Sequence, residues 1–144
     1  MLKKLLMSAV LAVFLLPVAA SANDSASKAL FIVHSGDTQT QGMAMVLAGA
    51  MQGQGAEVSM LLCDAAGDIT VKGYAGEKLQ PFDATPTERL QGLIANGATV
   101  ELCALYIPNS GHAPEDIMDG VNPRAQPPHI AAQMLRNDVK VFSF

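Results

Sequence analysis

The segment from Ala29 to Cys63 constrains the fold more than any other part of the chain. Ala29-Leu30-Phe31-Ile32-Val33 runs apolar without alternation, the pattern of a strand buried on both faces. His34-Ser35-Gly36-Asp37-Thr38 is a strand-to-helix turn. From about Thr40 to Gln52 the sequence is helical, with Met43, Val46, Leu47, Ala50 and Met51 forming one apolar stripe. Gly53 and Gly55 close it, and Val58 to Cys63 is a second apolar strand. A strand, helix and strand of these lengths make one βαβ unit, and such units build parallel sheets.

The rest of the chain extends that pattern. Asp64 to Asp68 is a turn, and Ile69 to Leu79 is expected to hold a short helix broken by Gly73 and Gly76. Thr85-Pro86-Thr87-Glu88 has the spacing of a capping box with proline at the first helical position. Leu90, Leu93 and Ile94 form the stripe of that helix, and Gly97 ends it. Ala98 to Leu105 is a third strand, Tyr106 to His112 a loop, and Pro114 to Asp119 a short helix. Val121 to Ala125 is a short strand. A last helix opened by Pro127-Pro128 then places Ile130, Ala131, Met134 and Leu135 on one face, before a closing strand from Val139 to Phe144. The class is α/β, a three-layer sandwich around a five-stranded, mostly parallel sheet of flavodoxin-like type.

The first 22 residues stand apart. Lys3 and Lys4 precede the apolar run Leu5 to Leu16, Pro17 breaks it, and Ala20-Ser21-Ala22 supplies small residues for cleavage. This is the layout of a secretory signal peptide. The run is shorter than the ~20 residues that span a bilayer. Cleavage after Ala22 would leave 122 of the 144 residues. Residues 23–28 would be a polar tether and 29–144 one domain, in the periplasm or an equivalent compartment. Without Lys3 and Lys4, 7 basic residues face 13 acidic ones, a net charge of −6. No basic cluster remains, which argues against nucleic acid and against an anionic membrane surface after cleavage. Two cysteines, Cys63 and Cys103, are too few for a disulfide scaffold.

Ligands of open parallel sheets bind outside the carboxyl ends of the strands, where the strand order reverses. With a sheet order beginning 2-1-3, His34, Cys63 and Cys103 would lie along one such edge, walled by residues 35–38 and 106–112. Strands two and three would then be separated by strand one, putting the two cysteines roughly 9–10 Å apart. That is beyond disulfide range, so they are expected not to pair. Cys103 is the better site for reactivity. A charged His34 would favour its thiolate, and Glu101 on the same strand face would oppose it. His34, Cys63, Cys103 and His112 are the only soft metal set available, without any metal-binding spacing, and no metal or cofactor is assigned. Met43-Ala44-Met45 reads as core, not as a copper site. No nucleophile elbow, P-loop or dinucleotide fingerprint occurs.

Leu30-Phe31-Ile32-Val33-His34-Ser35-Gly36-Asp37, Gly97-Ala98-Thr99-Val100-Glu101-Leu102-Cys103 and Val139-Lys140-Val141-Phe142-Ser143-Phe144 together resemble the DsrE/DsrF-like proteins. The resemblance runs from about residue 29 to 144. It implies a small α/β sandwich with a five-stranded parallel sheet, assembled as oligomers. It also implies that sulfur is carried as a persulfide on a cysteine in the position of Cys103. Position at the sheet edge, not the resemblance, makes His34, Asp37, Cys63, Tyr106, Asn109 and His112 the residues expected to shape the pocket around Cys103. A homo-oligomer is expected, with a sulfur donor and acceptor as partners. The other readings are a non-enzymatic module for a small ligand or soft metal at the same edge, and a structural oligomer joined through faces such as the Met43/Met51 stripe.

Overall fold

The computed structural model describes residues 26–144. The proposed signal peptide and residues 23–25 of the tether lie outside the described residues. The elements are β1 (Lys28–Val33), α1 (Thr38–Gly53), β2 (Glu57–Leu62), α2 (Pro86–Ala95) and β3 (Thr99–Leu102). They continue as α3 (Tyr106–Ser110), β4 (Val121–Asn122), α4 (Pro127–Met134) and β5 (Val139–Ser143), with 3₁₀ turns at Asp64–Thr70 and Pro114–Asp116. Among the described residues no helix is long and apolar enough to cross a membrane.

All five strands are parallel, and the order is β4-β3-β2-β1-β5. This corrects the 2-1-3 order expected from the sequence, and with it the flavodoxin-like arrangement. Each of the first three crossovers steps to the next position on the same side, so β2 separates β3 from β1. The order reverses between β1 and β5. The crevice there is filled by the chain itself: Phe144 N donates to Ile32 O and His34 N to Phe144 O, both at 2.9 Å. The Phe144 ring stacks on Phe31 with centroids 5.9 Å apart, alongside Phe142 at 5.1 Å.

Strand alternation divides the core in two. Phe31, Val33, Met60, Leu62, Val100 and Leu102 face α1 and α2, where Ala44, Met45, Ala48, Leu90 and Leu93 meet them. Leu30 and Leu61 face the other way, toward Ala125 and Ile130, with Cys63 and Cys103 packed at the margin of that smaller cluster. Three layers result, as the sequence implies. The second layer of helix is thin, because only Ile130 of α4 is buried. Ala131, Met134 and Leu135, expected beside it, face solvent.

α1 buries a different face from the one its hydrophobicity suggests. Gln41, Gly42, Ala44, Met45 and Ala48 point inward, while Met43 and Leu47 are 55% and 41% exposed. Three of the five inward residues, Gly42, Ala44 and Ala48, are small, and the helix lies close to its neighbours there. A β-carbon on Gly42 would stand 2.2 Å from Leu79 Cδ1, inside any van der Waals contact. Large side chains are excluded there, so the Met43 stripe is turned out.

Three other elements differ from expectation. Residues 106–110 are helical, not a loop. Pro108 falls in the first turn, where no amide partner is lost, and Gly111 at φ 78° supplies the left-handed stop. The helix expected over 69–79 does not form; the 3₁₀ turn stops at Thr70. Thr70 O and Lys72 N instead bond across to Met118 N and Asp116 O, both at 2.8 Å. The helical turn after Pro114 ends at Asp116. The capping box forms as read: Thr85 Oγ1 accepts from Glu88 N at 3.1 Å, and Thr85 N donates to Glu88 Oε2 at 2.8 Å.

Candidate functional site

A pocket of about 530 Å³ opens at the carboxyl ends of β2 and β3, within the size range of small-molecule sites. Cys63 and Cys103 form its floor, the 3₁₀ turn one wall through Asp64 and Asp68, and α3 the other through Tyr106, Asn109 and Ser110. Leu105 forms the lip and is 70% exposed.

The two cysteines are neighbours. β2 and β3 pair Leu61 with Glu101 and Leu62 with Leu102, and the next step of that register pairs Cys63 with Cys103. The ladder continues through both: Cys63 N donates to Val33 O and Cys103 N to Leu62 O, each at 2.8 Å. Adjacent strands lie about 4.8 Å apart, so the expected two-strand separation does not hold. Both are free thiols, half-buried against the same apolar cluster. Burial is the first reason the Cys63 thiol is pushed up to about 12; its hydrogen bond to Cys103, the charge of Cys103 and that of Asp64 add to it. Cys63 therefore stays protonated at neutral pH.

Tyr106 is fixed on three sides. Its hydroxyl donates to Asp68 Oδ1 at 2.7 Å, and its ring stacks on His112 with centroids 6.3 Å apart. One edge of the ring also lies against Gly67, where a β-carbon would stand 2.3 Å from two ring carbons. Burial, then the Asp68 carboxylate, keeps the phenol protonated far above its ordinary range. Asn109 is spent on the backbone, donating to Leu105 O at 2.7 Å.

Of the residues singled out in the sequence, the pocket gathers Cys63, Cys103, Tyr106 and Asn109. His34 follows the end of β1, lies outside the lining and is exposed. Asp37 is the α1 cap, accepting from Thr40 N and Thr40 Oγ1 at 2.8 Å each. These bonds, the backbone one first, lower its carboxyl pKa. His112 stands behind Tyr106, 3.9 Å from Asp116, and does not line the pocket. Glu101 accepts from Asn122 Nδ2 at 2.7 Å, away from the lining. Among the described residues no three His, Cys, Asp or Glu side chains gather as metal ligands, so the four-residue soft set is not assembled.

Asp64 and Asp68 were not anticipated. The turn-forming Asp-Ala-Ala-Gly-Asp run was visible, but nothing in it marked a pocket wall. Asp64 also adopts φ 49°, a left-handed conformation that Asp tolerates better than most residues.

Neither a family model nor a curated relative matches the chain. Solved structures do. The crystal structure of the ychN protein from E. coli superposes with a TM-score of 0.68 at 18% identity, covering 83% of this chain and 99% of that one. MTH1491 from Methanobacterium thermoautotrophicum, described as a protein of unknown function, superposes with a TM-score of 0.59 at 11% identity. The match covers 81% of this chain and 98% of that one. At these identities the likeness is one of fold. It agrees with the α/β architecture that the resemblance to the DsrE/DsrF-like proteins implies.

Proposed function

We propose that this protein is an exported, DsrE-like thiol protein that carries sulfur as a persulfide, or redox equivalents, on Cys103. The observation that carries the reading is the place of Cys103, at the floor of an open pocket and beside a second thiol that retains its proton. In the loading step the Cys103 thiolate attacks the outer sulfur of a donor persulfide. A new S–S bond forms as the donor's S–S bond breaks, and the donor departs as a thiolate, so charge is conserved. Transfer to an acceptor thiol is the same exchange in reverse. The exposed Leu105 at the lip offers donor and acceptor an apolar contact. Export rests on the signal-like first 22 residues, and nucleic acid and membrane surfaces are poor partners for so acidic a chain.

Uptake of sulfur from a small-molecule persulfide, followed by intact mass, tests the reading. Sulfur mapped to Cys103 and lost in Cys103→Ser supports it; unchanged uptake in that variant removes it. The binding-module reading is favoured only by the size of the pocket, and a ligand screen by thermal shift addresses it. Self-assembly is supported by the solvent-facing Met43 and Leu47 of α1 and by Met134 and Leu135 of α4.

A further inference from the structure

Cys63 has no part in loading or transfer, yet it lines the same pocket as Cys103 on the neighbouring strand. The register that pairs Leu62 with Leu102 places the two cysteines opposite each other. The ~4.8 Å spacing of adjacent strands falls within the Cα separations that disulfides span. Both side chains pack on one face of the sheet, against the same cluster, and both reach the pocket. Each stands one residue beyond the end of its strand, at the last rung of the ladder.

We infer that Cys63 is a resolving thiol, which converts a persulfide on Cys103 into a Cys63–Cys103 disulfide and expels the outer sulfur as hydrogen sulfide. The inference rests on the proposed carrier function. The Cys63 sulfur attacks the inner sulfur of the Cys103 persulfide. The Cys63–Cys103 bond forms, the bond between the inner and outer sulfurs breaks, and the outer sulfur leaves as hydrosulfide. The Cys63 thiol proton balances the departing charge. The outer sulfur is reduced and the Cys63 sulfur is oxidised, while the Cys103 sulfur exchanges one S–S bond for another. A dithiol reductant resets the pair by ordinary exchange.

The groups around Cys63 set the pace. Cys103 and Asp64 face it directly, with Asp68 and Tyr106 across the pocket. Burial above all keeps it protonated, so only a small fraction is the attacking thiolate at neutral pH. Resolution is then slow, and a loaded persulfide has time to meet an acceptor before it is discharged. An unclaimed sulfur atom is released and Cys103 is shielded from over-oxidation.

The test uses the protein with wild-type sequence, Cys63→Ser, Cys63→Ala and Cys103→Ser, each loaded with inorganic polysulfide and desalted. Intact mass without reductant and sulfide release are then followed together. The expected wild-type result is decay of the sulfur-loaded mass to one lighter than the reduced protein by two hydrogens, with one sulfide per chain and a Cys63–Cys103 peptide crosslink. Both Cys63 variants are expected to keep the added sulfur on Cys103, with sulfide release at background. A wild-type protein that keeps its sulfur as long as Cys63→Ser, without the crosslink, overturns the resolving role and leaves the carrier reading intact. Absence of added sulfur on Cys103 in the Cys63 variants overturns the carrier reading and the resolving role with it.

Discussion

Gly67→Ala is the substitution that most directly tests how the pocket wall is built. A β-carbon there would stand 2.3 Å from Tyr106 Cδ2 and Cε2 and 2.8 Å from Cζ, against a normal carbon contact of about 3.5–4.0 Å. The ring must move by more than about 1 Å, and it has little freedom. It is 6% exposed, bonded to Asp68 at 2.7 Å and stacked on His112. Gly67 does not have a positive φ, so alanine brings no backbone strain. It would gain about 0.4–1 kcal/mol from the less flexible unfolded chain. Overpacking costs about 1–3 kcal/mol, and breaking the bond to the Asp68 carboxylate costs about 1.5–3 kcal/mol more where it occurs. The clash outweighs the entropy gain, and a net loss of about 2 kcal/mol is expected, or about 8 °C in Tm for a domain of this size.

The decisive assay is a double-mutant cycle by chemical denaturation. Tyr106→Ala alone is expected to cost about 3–5 kcal/mol. On that background Gly67→Ala should be neutral or slightly stabilising, because the ring it would strike is gone. The coupling energy is then about 2 kcal/mol or more. Additive losses, or a Gly67→Ala protein as stable as wild type, would refute the placement of Tyr106 against the 3₁₀ turn.

Other perturbations reach other parts of the structure. Thr85→Ala removes one side of the capping box and should cost about 0.5–2 kcal/mol in denaturant titration, with Glu88→Ala losing much of the same energy instead of adding to it. Cys63 has a folded pKa of about 12 against an ordinary 9.0. Its contribution to stability is complete below pH 9.0 and is lost as pH rises toward 12. Stability of the wild type should therefore fall more steeply through that window than that of Cys63→Ser; equal slopes would contradict the shift. Met43→Glu with Leu47→Glu should leave the thermal midpoint nearly unchanged while reducing the mass seen by light scattering toward the 15.1 kDa of one full-length chain or less. A wild-type protein that is already monomeric would remove the assembly proposal.

Much of the architecture is readable in the residues. β1 is apolar from Ala29 to Val33 because both its faces are covered, β2 is apolar save for Glu57 and Ser59, and the Thr85–Glu88 spacing marks the start of α2 to the residue. The strand order is not readable, since hydrophobic pattern fixes which segments are strands but not where each crossover lands. That one uncertainty moved Cys63 from two strands away from Cys103 to the adjacent one. The inward face of α1 was hidden for a different reason. Close packing selects Gly42, Ala44 and Ala48 at the contact, so the most hydrophobic stripe is not the buried one. At the site, Cys103 and Tyr106 draw attention as residue types, whereas Asp68 gains its role only when folding brings it to a phenol 38 positions away in the chain.

The position of β5 bears on how the chain folds as it is made. β1, β2, β3 and β4 add to the sheet one beside another in the order of synthesis, so each new strand finds its neighbour already in place. β1 is the exception on its far side. Its second edge, from Lys28 to Ile32, waits for Val139 to Ser143, more than a hundred residues later. Until then an almost wholly apolar strand presents open amides and carbonyls to any other extended chain. The chain is thus exposed to mispairing at this edge until β5 has docked. Shortening the chain by its last strand would leave that edge uncovered permanently and favour insoluble material over a smaller soluble domain.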